Sequence, residues 1–528
     1  MSLYGTLLKG LVFTFLTFLL AVVLYLAFWF VLRPFKKRRF FLKFPKIVGL
    51  SPSFIPFLGD FKHLNEEYIH KGKFIGHFLR DLASTLGSKI AFFASLGMED
   101  MLFVNDVEYL NELQKFTPTV LDREPIDTTG FGRVGGTGGL AQSKTTTFWK
   151  KRRQTFTKTI GINHASRFIP IFLNHCQKEI RTFKEGETIN MSEYANTISF
   201  EIICEILYGC DIRDKLDLVN YTDTNGEICK MNLYECLMKI SHDCSFASMK
   251  PMNVLFPWLV HFSIGSENRR NTKNSDEFER VIRDLCAKSE DPKSVYNQVL
   301  NMGEIDPETI YKDVMAILFG GHETTSKSLC SSLLHLKKNP EVEKKLRKEL
   351  DEVLLENGKY TIDDLNDILC NDTLDKLDYL TCFVKEILRH DPPAVRSLGY
   401  KANATFKVKD LRIPKNQIVV FNLFAAQYDE RQWIEPMKFI PERFDSSSDY
   451  FLTPEGKNRN PLSFCPFTFG ARTCPGRALG LMEMKILVIY FMLGIDFEID
   501  QETLENEDIS YAIMSPFSLN IKVNKVNA

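Results

Sequence analysis

The feature that most constrains the fold of this chain is an uncharged apolar run from Gly10 to Leu32. At about 1.5 Å rise per residue, a helix of this length spans a hydrocarbon core of about 30 Å. Tyr25 and Trp29 lie toward its C-terminal end, where aromatic belts form. The alternative is a cleaved signal peptide, but the run is too long and lacks a small-residue cleavage site before the basic cluster. Residues 1–33 are therefore predicted to be an uncleaved transmembrane anchor.

A basic cluster follows this apolar run at once, and cytoplasmic flanks of membrane helices carry such an excess of positive charge. The remainder of the chain is therefore expected in the cytosol. Residues 34–62 contain all of this cluster except Arg33, together with three helix-stopping prolines, Pro45, Pro52 and Pro56, which predict a stiff hinge. The basic residues are Arg33, Lys36, Lys37, Arg38 and Arg39.

Composition narrows the class of protein. The chain has 528 residues, 44% of them hydrophobic and 25% charged, and its net charge of −1 gives no indication of a nucleic-acid partner. Its 12 cysteines form no CxxC pair, which argues against zinc and thioredoxin-like motifs and is typical of reduced thiols. The 43 phenylalanines provide large apolar contacts for a core or an apolar pocket.

The body of the chain, residues 63–528, is predicted as one large domain that is mainly α with a minor β-sheet portion. Helix starts are indicated at Pro307 and Pro340, where an N-cap residue precedes proline and an early acid follows. A turn before the apolar run at 418–420 predicts a strand. The glycine-rich segment 130–139 lacks the Gly-Lys-Ser/Thr ending of a phosphate-binding loop and is interpreted as a flexible loop.

Cys474 lies in a loop of constrained residues directly ahead of a hydrophobic helix pattern. The partial positive charge at a helix start stabilises a thiolate and lowers the thiol pKa. An isolated cysteine is most often a small buried hydrophobic residue. Here the pattern Phe467-x-x-Gly470-x-Arg472-x-Cys474-x-Gly476 surrounds it, and so many constrained positions favour a functional thiolate.

This loop resembles the haem-thiolate loop of the cytochrome P-450 family, in which the thiolate is the axial ligand of the haem iron. The resemblance covers roughly Phe44 to the C-terminus. It implies a single large haem domain of the P-450 fold behind the transmembrane helix, with haem b as cofactor and Cys474 as its iron ligand. It also implies that the glycines and Phe467 of the loop contribute to cofactor binding. Microsomal members of the family carry a similar Pro-rich hinge.

A second motif runs from Gly320 to Thr325 inside the helix that starts near Pro307. Two adjacent mid-helix glycines cost about 1 kcal/mol each relative to alanine, which usually has a packing or functional reason. Thr324 can donate to the carbonyl of Gly320 and bend the helix. The alternative is an exposed glutamate and a helix-bending threonine without further function.

This segment resembles the oxygen-binding segment of cytochromes P-450 at every position. The resemblance implies that Gly320 and Gly321 lie beside the haem and that Thr324 and Glu323 are catalytic. Their carboxyl and hydroxyl groups would deliver the protons that oxygen activation requires.

Glu386 and Arg389 lie three residues apart on one predicted helix, a spacing that by default indicates an ordinary surface ion pair. A downstream segment containing Arg443 lies at the distance that the same family shows. The resemblance implies that Arg443 joins Glu386 and Arg389 in a structural network that retains haem without taking part in catalysis.

Haem propionates need cationic partners, and Trp149 and Arg153 lie at i and i+4 on one helix face. They resemble a motif of the family that binds one propionate, and Arg472 and Arg396 are further candidates by resemblance. Between them, Lys150, Lys151 and Arg152 predict a basic patch for an acidic electron donor. A simple solvated helix face is the alternative.

The leading hypothesis is a monooxygenase of the endoplasmic reticulum membrane, single-pass with its catalytic domain in the cytosol. It would use O₂, an apolar substrate (sterol, fatty acid or xenobiotic) and NADPH electrons supplied by an NADPH-cytochrome reductase, with cytochrome b5 as a second candidate donor. The alternatives are a reductase-independent haem-thiolate isomerase or dehydratase and a non-catalytic haem sensor. Asn416, where many relatives have glycine, is expected to tolerate the same left-handed backbone.

Overall fold

A computed structural model gives the arrangement of the chain. It describes most of residues 3–527, together with isolated positions between the ranges given below. Most of the glycine-rich segment 130–139 and the prolines Pro52 and Pro56 lie outside the described residues, so the loop prediction and part of the hinge prediction are not addressed. The continuous described ranges are 3–50, 59–71, 75–87, 89–94, 100–123, 138–212, 219–250, 258–354, 361–506 and 517–527.

Helices make up most of the described chain, and the prediction of a mainly α protein with a minor β portion is confirmed. The α-helices are α1 (Leu3–Ala27), α2 (Arg33–Phe41), α3 (Phe61–Leu64), α4 (Ile75–Leu86), α5 (Val107–Gln114), α6 (Thr147–Ile160), α7 (Ile169–Ile180), α8 (Met191–Tyr208), α9 (Leu233–Met249), α10 (Trp258–His261), α11 (Ser266–Ala287), α12 (Val295–Asn301), α13 (Pro307–Lys338), α14 (Pro340–Leu354), α15 (Leu365–Ile368), α16 (Asn371–Asp375), α17 (Asp378–His390), α18 (Leu423–Gln427), α19 (Arg477–Gly494) and α20 (Gln501–Glu505). Short 3₁₀ turns span Ala165–Phe168, Pro441–Phe444, Pro461–Ser463 and Gly470–Arg472.

The strands are short and form small sheets. They are β1 (Ile47–Gly49), β2 (Ile90–Phe93), β3 (Met101–Val104), β4 (Leu121–Arg123), β5 (Thr188–Asn190), β6 (Val219–Thr222), β7 (Ile228–Met231), β8 (Tyr400–Ala402), β9 (Phe406–Val408), β10 (Leu411–Ile413), β11 (Ile418–Phe421), β12 (Ile495–Glu498) and β13 (Asn520–Val526). The largest sheet has the order β1-β2-β3-β11-β8-β4, with β1–β2 and β3–β11 parallel and the other pairs antiparallel. The smaller sheets are β12-β13-β5, β10-β9 and β6-β7.

The N-terminal segment is continuously helical from α1, through a π-helical turn at Phe28–Leu32, into α2. Among the described residues, Lys9–Ala27 is the helix that is long and apolar enough to cross a membrane, and none of it is buried against the rest of the chain. The predicted hinge is only partly an extended connection. Its β1 strand pairs with β2 in register Ile47 to Ile90 and so belongs to the main sheet.

The local signals at helix ends and turns are confirmed. Asp306 caps α13 by accepting a hydrogen bond from the Thr309 amide at 2.9 Å, and Pro307 occupies the first turn. Asn416 has φ of +65°, the left-handed conformation expected in the turn between β10 and β11. These features depend on residues close in sequence, which is why the sequence alone indicates them.

The central helix α13 organises the largest core cluster. It packs along α8 and against α19, while α19 also packs against α7. Buried apolar side chains such as Leu318, Leu329 and Leu333 on α13 and Leu487 on α19 fill these interfaces. Helix α13 carries the motif around Thr324, and α19 begins just after Cys474. Because these two helices pack against each other, the two motifs lie on neighbouring elements of the fold.

Candidate functional site

The Cys474 loop has a backbone that its glycines permit. Gly470 has φ of +64° and begins a 3₁₀ turn, so a residue with a side chain would be strained there. The amide of Cys474 donates to the carbonyl of Phe467 at 2.9 Å and closes the loop. Gly476 is the N-cap of α19, and a Cβ atom added there would lie 3.9 Å from the Cys474 sulfur. The loop thus presents the thiol at the start of a helix.

The Cys474 side chain is exposed to solvent. Nevertheless, its pKa is raised, and not lowered as the sequence predicted, because burial outweighs the amide of Gly476 and the charge of Arg153, which act to lower it. The thiol is therefore accessible to solvent although many protein atoms surround it. Both observations hold for a group that borders an open space inside the protein. An anionic sulfur in this position is supported by a helix N-terminus, one amide and one guanidinium.

Gly320 and Thr324 form the second element of the site. Helix α13 continues through both glycines without interruption, and Thr324 Oγ1 donates to the carbonyl of Gly320 at 2.9 Å, as predicted. A Cβ atom added at Gly320 would meet no atom within 4 Å, although the residue lies in the middle of a largely buried helix. Open space therefore borders this point of the helix.

The two glycines face different surroundings. A Cβ atom added at Gly321 would lie 3.0 Å from Cγ1 of Ile203 on α8, which is closer than ordinary van der Waals contact. Gly321 therefore allows α13 and α8 to approach each other, whereas Gly320 borders open space. That both glycines lie beside the cofactor stays a prediction, and the structure adds a packing reason for glycine at position 321.

The structure brings Trp149, Arg153 and Arg472 together. The guanidinium carbon of Arg472 lies 3.8 Å from the centroid of the Trp149 ring, and that of Arg153 lies 5.7 Å from it. The indole N–H of Trp149 donates to the carbonyl of Leu140 at 2.9 Å. Trp149 thus offers its ring face to two cations while its N–H is occupied by the backbone. Arg153 also donates to the carbonyl of Thr473 at 2.6 Å, next to the thiol.

Arg472 is buried and has several protein partners, among them Asp122 at 3.2 Å and the carbonyl of Ser143 at 2.6 Å. Burial, followed by the nearby charge of Arg123, lowers the pKa of Arg472 to about 10. Arg123 itself is buried, its Nε has no hydrogen-bond partner, and its guanidinium lies 4.5 Å from the Tyr400 ring centroid.

Arg123 was missed by the sequence analysis because no local motif marks it. Strand β4 carries it, and pairing of Arg123 with Tyr400 of β8 explains its position.

Arg396 is exposed to solvent, yet burial lowers its pKa, so like Cys474 it faces an interior space. Its Nη1 donates to the carbonyl of Ser397 at 3.2 Å. Asp122 forms an ion pair with Arg472 and its charge also acts on Arg123, so one carboxylate serves two guanidinium groups and positive charge is in excess here.

These residues fit haem on the evidence of this structure. The thiol and the Gly320 backbone both border open interior space, and the excess of guanidinium groups suits the two anionic propionates. Glu323 is half-buried beside Thr324, and its charge contributes, after burial, to the raised pKa of Tyr234 on α9. A carboxyl and a hydroxyl group thus lie next to each other in the sequence, one helical turn from the open space beside Gly320.

Glu386, Arg389 and Arg443 form one completely buried network. Arg389 Nε lies 2.8 Å from Glu386 Oε2, and Arg443 Nε lies 3.3 Å from Glu386 Oε1. Both arginines also donate to backbone carbonyls of the segment that precedes the 3₁₀ turn at Pro441, including that of Lys438. The three side chains therefore join α17 to the segment that leads toward the Cys474 loop.

The predicted basic patch is wrong at Arg152. Its side chain is only 5% exposed and forms a buried ion pair with Asp313 of α13, with 2.9 Å between Arg152 Nε and Asp313 Oδ2. Arg152 lies three residues after the buried Trp149 and so on the inner face of α6, whereas Lys150 and Lys151 are exposed.

Comparison with known proteins supports the reading of this site. A family model described as Cytochrome P450 matches residues 50–523. Cytochrome P450 3A40 of Oryzias latipes is 28% identical over 375 residues, covering 67% of this chain and 69% of the relative. Phenylacetaldehyde oxime monooxygenase CYP71AN24 of Prunus mume is 25% identical over 478 residues, covering 87% and 85%. A steroid 17-alpha-hydroxylase/17,20 lyase of Mesocricetus auratus is 27% identical over 296 residues, covering 51% and 55%.

The matched region contains the Cys474 loop, the Gly320–Thr325 segment of α13, the cluster of Arg153, Arg472 and Arg123, and the buried network around Glu386. The helical architecture with small sheets agrees with it. The protein is an oxidoreductase, and haem is the cofactor that its family implies. The chain belongs to the cytochrome P450 family.

Proposed function

We propose that this protein is a membrane-anchored haem-thiolate monooxygenase that inserts one oxygen atom of O₂ into an apolar substrate. Its electrons come from NADPH through a reductase. The observation that carries the proposal is the hydrogen bond from Thr324 to the Gly320 carbonyl, with Glu323 adjacent, on the open side of α13. A rearrangement of a peroxide needs no proton delivery to oxygen and gives no reason for this pair.

In this proposal the Cys474 thiolate holds the haem iron. Arg153 and Arg472 neutralise the charge of the haem propionates, and the Trp149 ring lies against both guanidinium groups and holds them in place. Arg396 is a further candidate for a propionate partner because it faces interior space. When bound, haem supplies the chemistry of oxygen activation. The protein's own contribution is to fix the thiolate at a helix N-terminus and to keep the surroundings of the cofactor dry.

Glu323 and Thr324 move protons in the proposed reaction. The Thr324 hydroxyl, which donates to the Gly320 carbonyl in this structure, would turn to donate its proton on the open side of α13, and Glu323 would restore that proton through water. The helix can lose this side-chain hydrogen bond, because Gly320 lies inside a continuous α-helix whose backbone carbonyls accept hydrogen bonds from the backbone itself.

The test is the thiolate-specific Soret band of the reduced, carbon-monoxide-bound protein, combined with NADPH-dependent oxygen uptake in the presence of a reductase. Cys474→Ala should abolish the band. Cys465→Ala is the matched control, because Cys465 lies in the same stretch but is buried in a separate apolar cluster. A normal band in the Cys474 variant overturns the ligand assignment, and substrate turnover without oxygen uptake overturns the monooxygenase.

An apolar substrate, such as a sterol, a fatty acid or a xenobiotic, is the class we propose. The named relatives include a steroid hydroxylase, whose name gives one of these three classes, and a phenylacetaldehyde oxime monooxygenase. Titration of compounds from the three classes against the haem spectrum should give saturable shifts for one class. Uniformly absent shifts would remove the proposal of an apolar pocket.

We further propose the endoplasmic reticulum membrane as its location, with one span and a cytosolic catalytic domain. Support comes from the exposed apolar helix at Lys9–Ala27 and the basic residues that follow in α2. The sequons at Asn190, Asn220, Asn371 and Asn403 should then stay unmodified. A mobility shift on glycosidase treatment would contradict this topology.

A further inference from the structure

Glu483 is a buried carboxyl group that the proposed reaction does not use. It lies on α19, the helix that begins immediately after the Cys474 loop, and its side chain is only 5% exposed. Its Oε2 lies 3.4 Å from Oγ1 of Thr325 on α13, the residue directly after Thr324. The contact therefore joins the helix of the thiolate to the helix of the proposed proton donor.

This carboxyl group lacks the partners that a buried carboxylate needs. No Lys, Arg or His in the described part of the chain forms an ion pair with Glu483, and its Oε1 has no hydrogen-bond partner. An ionised carboxylate without a cation is strongly disfavoured in such surroundings, and a neutral carboxylic acid is the stable form.

Thr325 offers one hydroxyl proton to two acceptors. Its Oγ1 lies 3.2 Å from the carbonyl of Gly321, which can only accept. The same Oγ1 lies 3.4 Å from Glu483 Oε2, so the single hydroxyl proton of Thr325 is shared between two acceptors and cannot fully satisfy an ionised Glu483. A neutral carboxylic acid at Glu483 removes this competition, because it can donate its own proton to Thr325 Oγ1 while Thr325 donates to the Gly321 carbonyl.

Other titratable groups near Glu483 come from α7 and α8. His175 faces it at longer range, but its Nε2 lies 2.7 Å from Glu205, and Glu201 lies on its other ring nitrogen at 3.6 Å. Burial lowers the pKa of His175, but these two carboxylates raise it more. The positive charge of His175 is thus already matched by two acids. Cys176, also buried on α7, has a strongly raised pKa and stays neutral.

We propose that Glu483 carries a proton at neutral pH and is a positioning residue for oxygen activation. It fixes α13 against α19, and thereby the Thr324 hydroxyl relative to the Cys474 loop. The functional part of this inference rests on the proposed monooxygenase activity; the protonated carboxyl and its bond to Thr325 do not.

Burial raises the pKa of Glu483 to about 8, while Thr325 and His175 act in the opposite direction. The folded-state value is thus above the unfolded one, so folding stabilises the protonated form. The contribution is complete at pH values below the ordinary glutamate range, declines as pH rises, and is lost at about pH 8, where the folded group ionises. The stability of the wild type should therefore fall across this window more steeply than that of Glu483→Gln.

Infrared spectroscopy of the haem-loaded protein tests the proton directly. The wild type at pH 6.5 should show a carboxylic-acid C=O band that is absent from Glu483→Gln and that disappears on raising the pH to 9. Glu483→Gln, a neutral donor of similar shape, should retain the carbon-monoxide band and the coupling of NADPH use to product. Glu483→Ala should raise the fraction of electrons lost as hydrogen peroxide by roughly tenfold, the effect expected for losing one buried hydrogen bond.

The outcomes separate the two proposals. Absence of the acid band in the wild type, or equal loss of coupling in the Gln and Ala variants, overturns the role of Glu483. If Glu483→Ala does not fold, the band and the pH profile of Glu483→Gln still decide the question. Presence of the band in a protein without NADPH-dependent oxygen uptake would remove the monooxygenase while leaving the protonated Glu483 intact.

Discussion

Glu386 and Arg389 lie one helical turn apart on α17 and form an ion pair without any solvent exposure, with 2.8 Å between Arg389 Nε and Glu386 Oε2. Arg443 reaches the other carboxylate oxygen from the 3₁₀ turn at Pro441–Phe444. The desolvation of these charges is compensated by the ion pairs and by backbone carbonyls that accept the remaining guanidinium protons. Such a network stabilises one arrangement of the surrounding chain. Removing any one of its three side chains leaves a buried charge without its partner and lowers the stability of the fold.

Replacing Glu386 by Ala should therefore lower the free energy of unfolding by about 3–5 kcal/mol, since it leaves two buried guanidinium groups without their carboxylate. We expect haem-free or insoluble protein, measured as the ratio of Soret to protein absorbance and by urea unfolding. Arg280→Gln is the matched control, because its ion pairs with Glu277 and Asp284 lie at the surface and are worth about 0–1 kcal/mol. A fully haem-loaded Glu386 variant with wild-type stability would contradict a structural role.

Charge reversal at Lys150 and Lys151 tests the proposed docking of an acidic electron donor. Both side chains are exposed on α6, which also carries Trp149 and Arg153. The double variant should raise the apparent KM for the reductase and flatten its dependence on ionic strength, because oppositely charged surfaces steer association. Unchanged kinetics would leave these lysines as an ordinary solvated helix face.

Arg152 should behave differently from its two neighbours. Arg152→Ala leaves the buried carboxylate of Asp313 without its cation and should reduce stability by about 3–5 kcal/mol. In the fraction that folds, the salt dependence of reduction should match that of the wild type. If Arg152→Ala changes the salt dependence of reduction by the electron donor but not the stability, Arg152 belongs to the docking surface after all.

The contrast between these residues shows which features the sequence could predict. The start of α13 at Pro307 and its bond from Thr324 to Gly320 depend on neighbours within a few residues, and both were correctly predicted. The ion pair of Arg152 joins residues far apart in the chain, although its spacing from Trp149 already indicated the inner face of α6. Arg123 had no local signal at all, since pairing of β4 with β8 creates its position.

Thr324→Ala should uncouple the proposed reaction. Loss of a positioned proton donor should lower the rate of product formation by about 10²-fold, with electrons diverted to hydrogen peroxide, whereas Thr324→Ser should retain most of the coupling. The measurement is the ratio of product to NADPH consumed. Ser332→Ala is the matched control, because Ser332 makes the same kind of bond to a carbonyl, that of Ser328 at 2.8 Å, two turns further along α13. Equal uncoupling in both variants would mean that only helix geometry matters.

The two glycines of α13 should respond differently to alanine. Gly321→Ala brings a methyl group to 3.0 Å from Cγ1 of Ile203 and should cost about 1–3 kcal/mol through overpacking. Combined with Ile203→Ala, which removes the obstructing atoms, it should cost less than the sum of the single changes, and a double-mutant cycle measures this coupling.

Gly320→Ala meets open space, so it should stabilise the haem-free protein by up to about 1 kcal/mol through helix propensity. It should also weaken haem uptake, because the methyl group enters the space that we propose for the cofactor. Additive costs at Gly321 and Ile203, or unimpaired haem uptake by Gly320→Ala, would show that this division of roles is wrong.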